Sequence, residues 1–185
     1  MKKIIIALLL LGWSASGRAA EVNKNDEFIR KPYHFNIGYS VNKYALTTLG
    51  NGSDDFVATD FAHGGQLAFD WQGKGRLGFQ IPVSYYFHPA MNASELDFGG
   101  NLMIHINKRN KAFDPYFNVG LKWVSGHAQG MERDWEIWPI PFLTAGFGVR
   151  HFFTQNIGVF GEVAGSTMFS LVWQFEGRVG VSFGF

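Results

Sequence analysis

The stretch Leu77-Gly78-Phe79-Gln80-Ile81-Pro82-Val83-Ser84-Tyr85-Tyr86-Phe87 sets a large apolar side chain at every odd position and a mostly small or polar one between. A period of two belongs to a β-strand with two unlike faces; a helix would repeat its apolar residues every three or four. The same alternation starts at Tyr33, where Tyr33, Phe35, Ile37, Tyr39 and Val41 face His34, Asn36, Gly38, Ser40 and Asn42. It returns in Leu67 to Trp71, Leu96 to Ile106, Phe117 to Trp123 and Leu143 to Val149. A weaker copy holds Ile157, Val159 and Val163 and is interrupted by Phe160, and Trp173 to Phe185 ends the series. Eight strands in ~165 mature residues leave about 20 each, enough for a membrane-crossing strand of ~9–11 residues and a turn. Ten would be crowded.

The expected connectors alternate in length. Gln72 to Gly75, Asn107 to Asp114 and Thr154 to Asn156 form one end; Leu46 to Asp60, His88 to Ser94, Ser125 to Pro139 and Gly165 to Leu171 form the other. An even strand number puts both termini at the short-turn end, which in an outer-membrane barrel is periplasmic.

Alternation alone fits both a soluble and a membrane barrel, because one is the other turned inside out. Side-chain volume separates them. One face is loaded with Phe, Trp, Tyr, Leu and Ile, and the other is mostly Gly, Ser, Asn, Gln and Ala. The interior of an eight-stranded barrel is only just wide enough for side chains to fill, so the small polar face belongs inside. The expected fold is therefore all-β: an eight-stranded antiparallel up-and-down transmembrane β-barrel over residues 33–185. Aromatics gather near strand ends, at Tyr33, Tyr44, Trp71, Phe87, Tyr116, Trp123, Trp135, Trp138, Trp173 and Phe185, where their amphipathic rings suit the two membrane interfaces.

The leading residues agree with this destination. Met1-Lys2-Lys3 is a basic start, Ile4 to Leu11 an apolar run too short to span a bilayer, and Gly17-Arg18-Ala19 a small-residue cleavage region. Residues 1–20 read as a cleaved export signal and 21–32 as a periplasmic N-terminal segment. Cleavage takes three of the 16 Lys and Arg, leaving 13 against 15 Asp and Glu. The formal +1 thus belongs to the signal, and no nucleic-acid partner is expected.

Phe98-Gly99-Gly100-Asn101-Leu102, Asp114 to Leu121, Ala145 to Arg150 and Phe160-Gly161-Glu162 resemble the outer-membrane β-barrel domain family, which includes the OmpA-type transmembrane domain and the small OmpX and opacity-type barrels. The similarity spans roughly the back half of the mature chain. It implies residence in the outer membrane of a Gram-negative cell, with outer-membrane lipid and lipopolysaccharide as surroundings. The ending Val179 to Phe185 resembles the signal read by the outer-membrane assembly machinery, with Phe183 and Phe185 as its aromatic positions. No peptidoglycan-binding domain of the kind that follows OmpA-type barrels is expected.

On the inward phase lie Asp70, Asp97, Lys122, Arg150, Glu162, Glu176 and Arg178, with His34 and His105. Unpaired charges in so narrow an interior would cost several kcal/mol each, so pairing is expected: Glu162 with Arg150 or Arg178, and Glu176 with Lys122 or Arg150. Such a network is either a structural plug or a narrow proton or ion path.

Other chemistry is thin. The absence of Cys excludes disulfides, Cys-ligated metal and a thiol nucleophile, and no His-x-x-x-His occurs. Lipid A deacylases of similar size resemble a His-x-Ser signature that no histidine here completes, and the palmitoyltransferase type begins with a helix for which Glu21 to Pro32 is too short. No catalytic residue, cofactor or metal site is expected, although a site assembled from His63, Asp60, Ser53 or His127 stays open, since triads are recognised by geometry. Among the long loops, Ser125 to Pro139 is the candidate interaction surface, with Glu132, Arg133, Trp135 and Trp138; the alternative is an interfacial belt in which both Trp anchor the rim. The expected role is structural or surface-interacting, with a lipid A-modifying enzyme and a small ion channel as rivals.

Overall fold

The computed structural model describes residues 28–47, 56–58, 61–129, 134–169 and 172–185; the expected export signal lies outside them. The strands are β1 (Tyr33–Thr47), β2 (Phe56–Ala58), β3 (Ala62–Gln72), β4 (Leu77–His88), β5 (Ala93–His105), β6 (Phe113–Gln129), β7 (Asp134–Phe152), β8 (Ile157–Met168) and β9 (Val172–Gly184). Every neighbouring pair is antiparallel, and β1 pairs with both β3 and β9, which closes the sheet. β2 meets the far end of β1 one residue out of the β1–β3 register, so β2 and β3 are two pieces of one barrel strand. The result is an eight-stranded up-and-down barrel.

Closure removes the edges that an open sheet would expose. Along β4 the side chains alternate between exposed and buried without a break. The odd residues of Leu77 to Phe87 face outward, and Gln80, Ser84 and Tyr86 face the lumen. Leu143 and Val163 are 64% and 61% exposed on the outer wall, while Arg178 inside is 6% exposed. Each such apolar side chain left in water would forgo roughly 1.5–3 kcal/mol. A surrounding of hydrocarbon restores it, and that is the face a membrane barrel presents.

The strands run longer than the sequence pattern suggests. Ser125 to Pro139 was expected as a loop, yet β6 continues to Gln129 and β7 begins at Asp134, paired as Gly126↔Ile137 through Gln129↔Asp134. A register shift between Val124 and Gly126 lets the hairpin continue beyond the regular ladder. His88 and Ser94 likewise lie in strands, leaving a short connection through a 3-10 turn at Pro89–Met91. Asp114, expected in a turn, lies in the first residues of β6 and faces inward.

The lumen also holds larger side chains than expected. Tyr86, Tyr116, Phe142, Phe152 and Phe160 are all buried there. Tyr116 and Tyr44, read from sequence as interfacial rings, turn inward instead. Glycines make the room: a Cβ at Gly148 would stand 2.3 Å from Tyr116 Cζ, and one at Gly38 would stand 2.9 Å from Phe160 Cζ.

Candidate functional site

The lumen is the candidate site, and its order follows from strand register. At the end holding the short turns, Arg30 enters the mouth of the barrel just before β1 and is fully buried. Its guanidinium forms an ion pair with Asp114 and donates to the Lys108 carbonyl at 3.0 Å. Phe152 lies beneath it, 5.5 Å from the guanidinium carbon to the ring centre. Burial lowers the Arg30 pKa from its ordinary value, and Asp114 opposes that shift. His105 Nδ1 also lies 3.0 Å from Asp114.

One layer further in, Arg150 stands opposite Asp114 in the β6–β7 register but reaches across the lumen to pair with Asp70. Asn36 Nδ2 donates to the same Asp70 oxygen at 2.6 Å, and the Arg150 guanidinium lies 4.8 Å over the Tyr116 ring. Tyr116 donates its hydroxyl to Glu162 at 2.9 Å. Arg178, directly opposite Glu162 on β9, donates to it at 2.7 Å and also pairs with Glu176, its neighbour on the same face two residues before.

Towards the loop end, Lys122 joins Glu176 to Asp97, with 3.0 Å to the latter. Gln174 Nε2 bridges Asp97 (3.2 Å) and Glu95 (2.9 Å). Asn42 donates to Glu95 at 2.9 Å, and His88 Nε2 lies 3.0 Å from its other oxygen. Polar contacts thus run without interruption from Tyr116 to His88. In a low-dielectric interior such a chain is stabilising only when its members are satisfied.

All seven charges expected from the inward phase lie in the lumen. Glu162 takes Arg178 and Glu176 takes Lys122, each one of the two partners expected for it; Arg150, expected on Glu162 or Glu176, pairs with Asp70 instead. Sequence reasoning left out Arg30, Asp114, Glu95 and His88. Of these, Glu95 carries a signal in the sequence: it lies two residues before Asp97 on β5 and so shares its inward face.

Other expected residues fall elsewhere. Phe183 and Phe185 face outward, and the Phe185 ring stacks 6.0 Å from Tyr33. Glu132 and Arg133 lie outside the described residues; Trp135 and Trp138 belong to β7 by their backbone. His63 sits on the outer wall, its Nδ1 2.6 Å from the Tyr39 hydroxyl, while Ser53 and Asp60 lie outside the described residues. Among the described residues no three His, Asp or Glu side chains are grouped to hold a metal ion.

No protein-family model matches the chain, and no curated protein matches it in sequence. Among solved structures the chain is similar to Neisserial surface protein A, with a TM-score of 0.66 and 14% identity over 83% of this chain and 97% of that one. It is also similar to Ail, the attachment invasion locus protein of Yersinia pestis (TM-score 0.59, 11% identity, 84% of this chain and 99% of that one). A third is the N-terminal β-barrel domain of Pseudomonas aeruginosa OprF (TM-score 0.54, 13% identity, 84% and 99%). At these identities the likeness is one of fold, that of the small outer-membrane barrels.

Proposed function

We propose that this chain is an integral barrel of the Gram-negative outer membrane whose lumen is closed by a structural plug of paired charges, and whose loop end is held at the cell surface for interaction. The turn end and both termini face the periplasm, and Phe183 and Phe185 serve the assembly machinery during insertion. The observation that carries this reading is an unbroken polar chain from Tyr116 to His88, inside a closed wall whose outer face is apolar. Buried charges that already hold one another have little capacity left for a passing ion. Two of the similar structures, a surface protein and an attachment invasion locus protein by their descriptions, support a surface-interaction role over an enzymatic one.

Single-channel recording tests the plug. The purified barrel in a planar bilayer is expected to be silent, and Arg150→Ala or Glu162→Ala to raise conductance by opening the cross-section. A conducting wild type overturns the plug and favours the channel. Lipid A extracted from cells with and without the protein should show the same acyl pattern by mass spectrometry; a changed pattern would make the barrel an enzyme.

A further inference from the structure

The outer wall carries a recess. Outward strand positions mostly hold Phe, Leu, Ile, Val, Tyr or Trp; glycine leaves the wall bare singly at Gly65 on β3 and Gly100 on β5, and as a group at Gly161 and Gly165 on β8 and Gly177 on β9. Where β7, β8, β9 and β1 run side by side there is an open groove of about 470 Å³. Gly161 and Gly177 form its floor, and Tyr39, Phe147, Val163 and Val179 wall it. Glu162 and Arg178 bound it only from behind, since their side chains are buried in the lumen. A strand glycine gives up chain entropy and packs nothing, and it commonly marks a place where a ligand comes close. In the hydrocarbon band, the filler of an apolar recess is an acyl chain.

Charge at the groove's loop-ward side narrows the lipid. Lys43 follows Val41 by two residues on β1 and shares its outward face, with its ammonium 4.8 Å from the Phe61 ring centre. Among the described side chains of the strands, Lys43 is the one Lys, Arg, Asp or Glu on the outer wall. His63 stands opposite Val41 in the register, bonded to the Tyr39 hydroxyl. From Tyr33, stacked on Phe185 at the turn end, β1 climbs about 25 Å to Lys43 at ~3.3 Å per residue and a tilt of ~40°. That is the height of the apolar band, so Lys43 stands where headgroup phosphates begin.

We propose that the groove holds an acyl chain of the phosphorylated glycolipid of the outer leaflet, the lipid A portion of lipopolysaccharide, with its phosphate on Lys43. This rests on the orientation proposed above, in which the loop end faces outward.

The test titrates lipid A into barrel purified from outer membranes and reads bound lipid by native mass spectrometry, for the wild type, Lys43→Gln and Gly161→Leu. A Cβ at Gly161 meets no heavy atom within 4 Å, so leucine fills the groove without displacing the wall, and circular dichroism checks the fold. Lys43→Gln is expected to weaken binding about fivefold, as one lysine near an anionic surface does. Gly161→Leu should weaken it about tenfold by occupying the chain's place. Dephosphorylated lipid A should bind the wild type and Lys43→Gln alike, which reads the headgroup half without altering the groove. Equal binding by all three proteins overturns the proposal, as does phosphatidylethanolamine held as tightly as lipid A. A wild-type dimer lost in Gly161→Leu would assign the groove to a second copy instead. Orientation is read separately: the chain has no Cys, and Ala90→Cys at the loop-end turn should react with an impermeant maleimide on intact cells. Labelling without lipid A binding defeats the groove alone, whereas binding without labelling defeats the orientation.

Discussion

The two halves of the lumen solve the same problem with different stoichiometry. In the turn-end half, Arg30 pairs with Asp114 and Arg150 with Asp70, and each guanidinium lies over an aromatic ring, Phe152 or Tyr116. In the loop-end half, the three carboxylates Asp97, Glu162 and Glu176 share two cations, Lys122 and Arg178, and a fourth, Glu95, touches neither of them. The surplus is carried by neutral donors: the Asn42 and Gln174 amides and the Tyr116 hydroxyl, with His88 beside Glu95. One-to-one pairing makes each member indispensable. A shared arrangement tolerates the loss of a member because its neighbours already serve two partners.

Substitutions of decreasing severity probe that contrast. Arg150→Ala leaves Asp70 buried with only Asn36, and should cost about 3–5 kcal/mol, as removal of one partner of a buried pair does. Urea unfolding of the refolded barrel measures it, and a cost below that of Arg178→Ala would invert the comparison. Arg30→Ala removes an ion pair and a donor to the Lys108 carbonyl at the mouth; about 2–3 kcal/mol is expected from lost bonds involving a charge. Tyr116→Phe deletes a single hydroxyl bond to Glu162 and should cost about 1.5 kcal/mol. Glu95→Gln keeps an acceptor for Asn42 and Gln174 while removing surplus negative charge, so its stability should lie within about 1 kcal/mol of wild type. Asp70→Asn, by contrast, strands Arg150, and the two halves would be equivalent if these two amide variants unfolded at the same urea concentration.

The barrel is legible because a strand buried on one side writes its two faces into alternate residues, and the bulk of Phe79, Ile81, Val83 and Tyr85 tells which face meets lipid. What alternation cannot supply is distance across the lumen. Asp70 and Arg150 are on β3 and β7, and nothing in a two-residue period says that they meet. Strand ends are harder still, since polar residues there resemble loop: Asp114 looks like part of a turn although it is the second residue of β6, and His88 looks like a connector although it ends β4. Arg30 had no period to betray it, because it is not in a strand at all. Phe160 disturbed the sequence pattern for a physical reason: it lies in the lumen, in the space opened by Gly38.

The β1–β9 seam sets how the barrel must form. His34 pairs with Gly184 and Leu46 with Val172, so its hydrogen bonds join residues separated by most of the chain, whereas the β3–β4 hairpin turns within a few residues. Closing so long a loop costs entropy before the first bond of the seam is made. The hairpins can zip one after another, and the ring waits for its two most distant strands. Once they meet there is no free end from which to fray, and the amides of the seam should be as slow to exchange with solvent as they were slow to form.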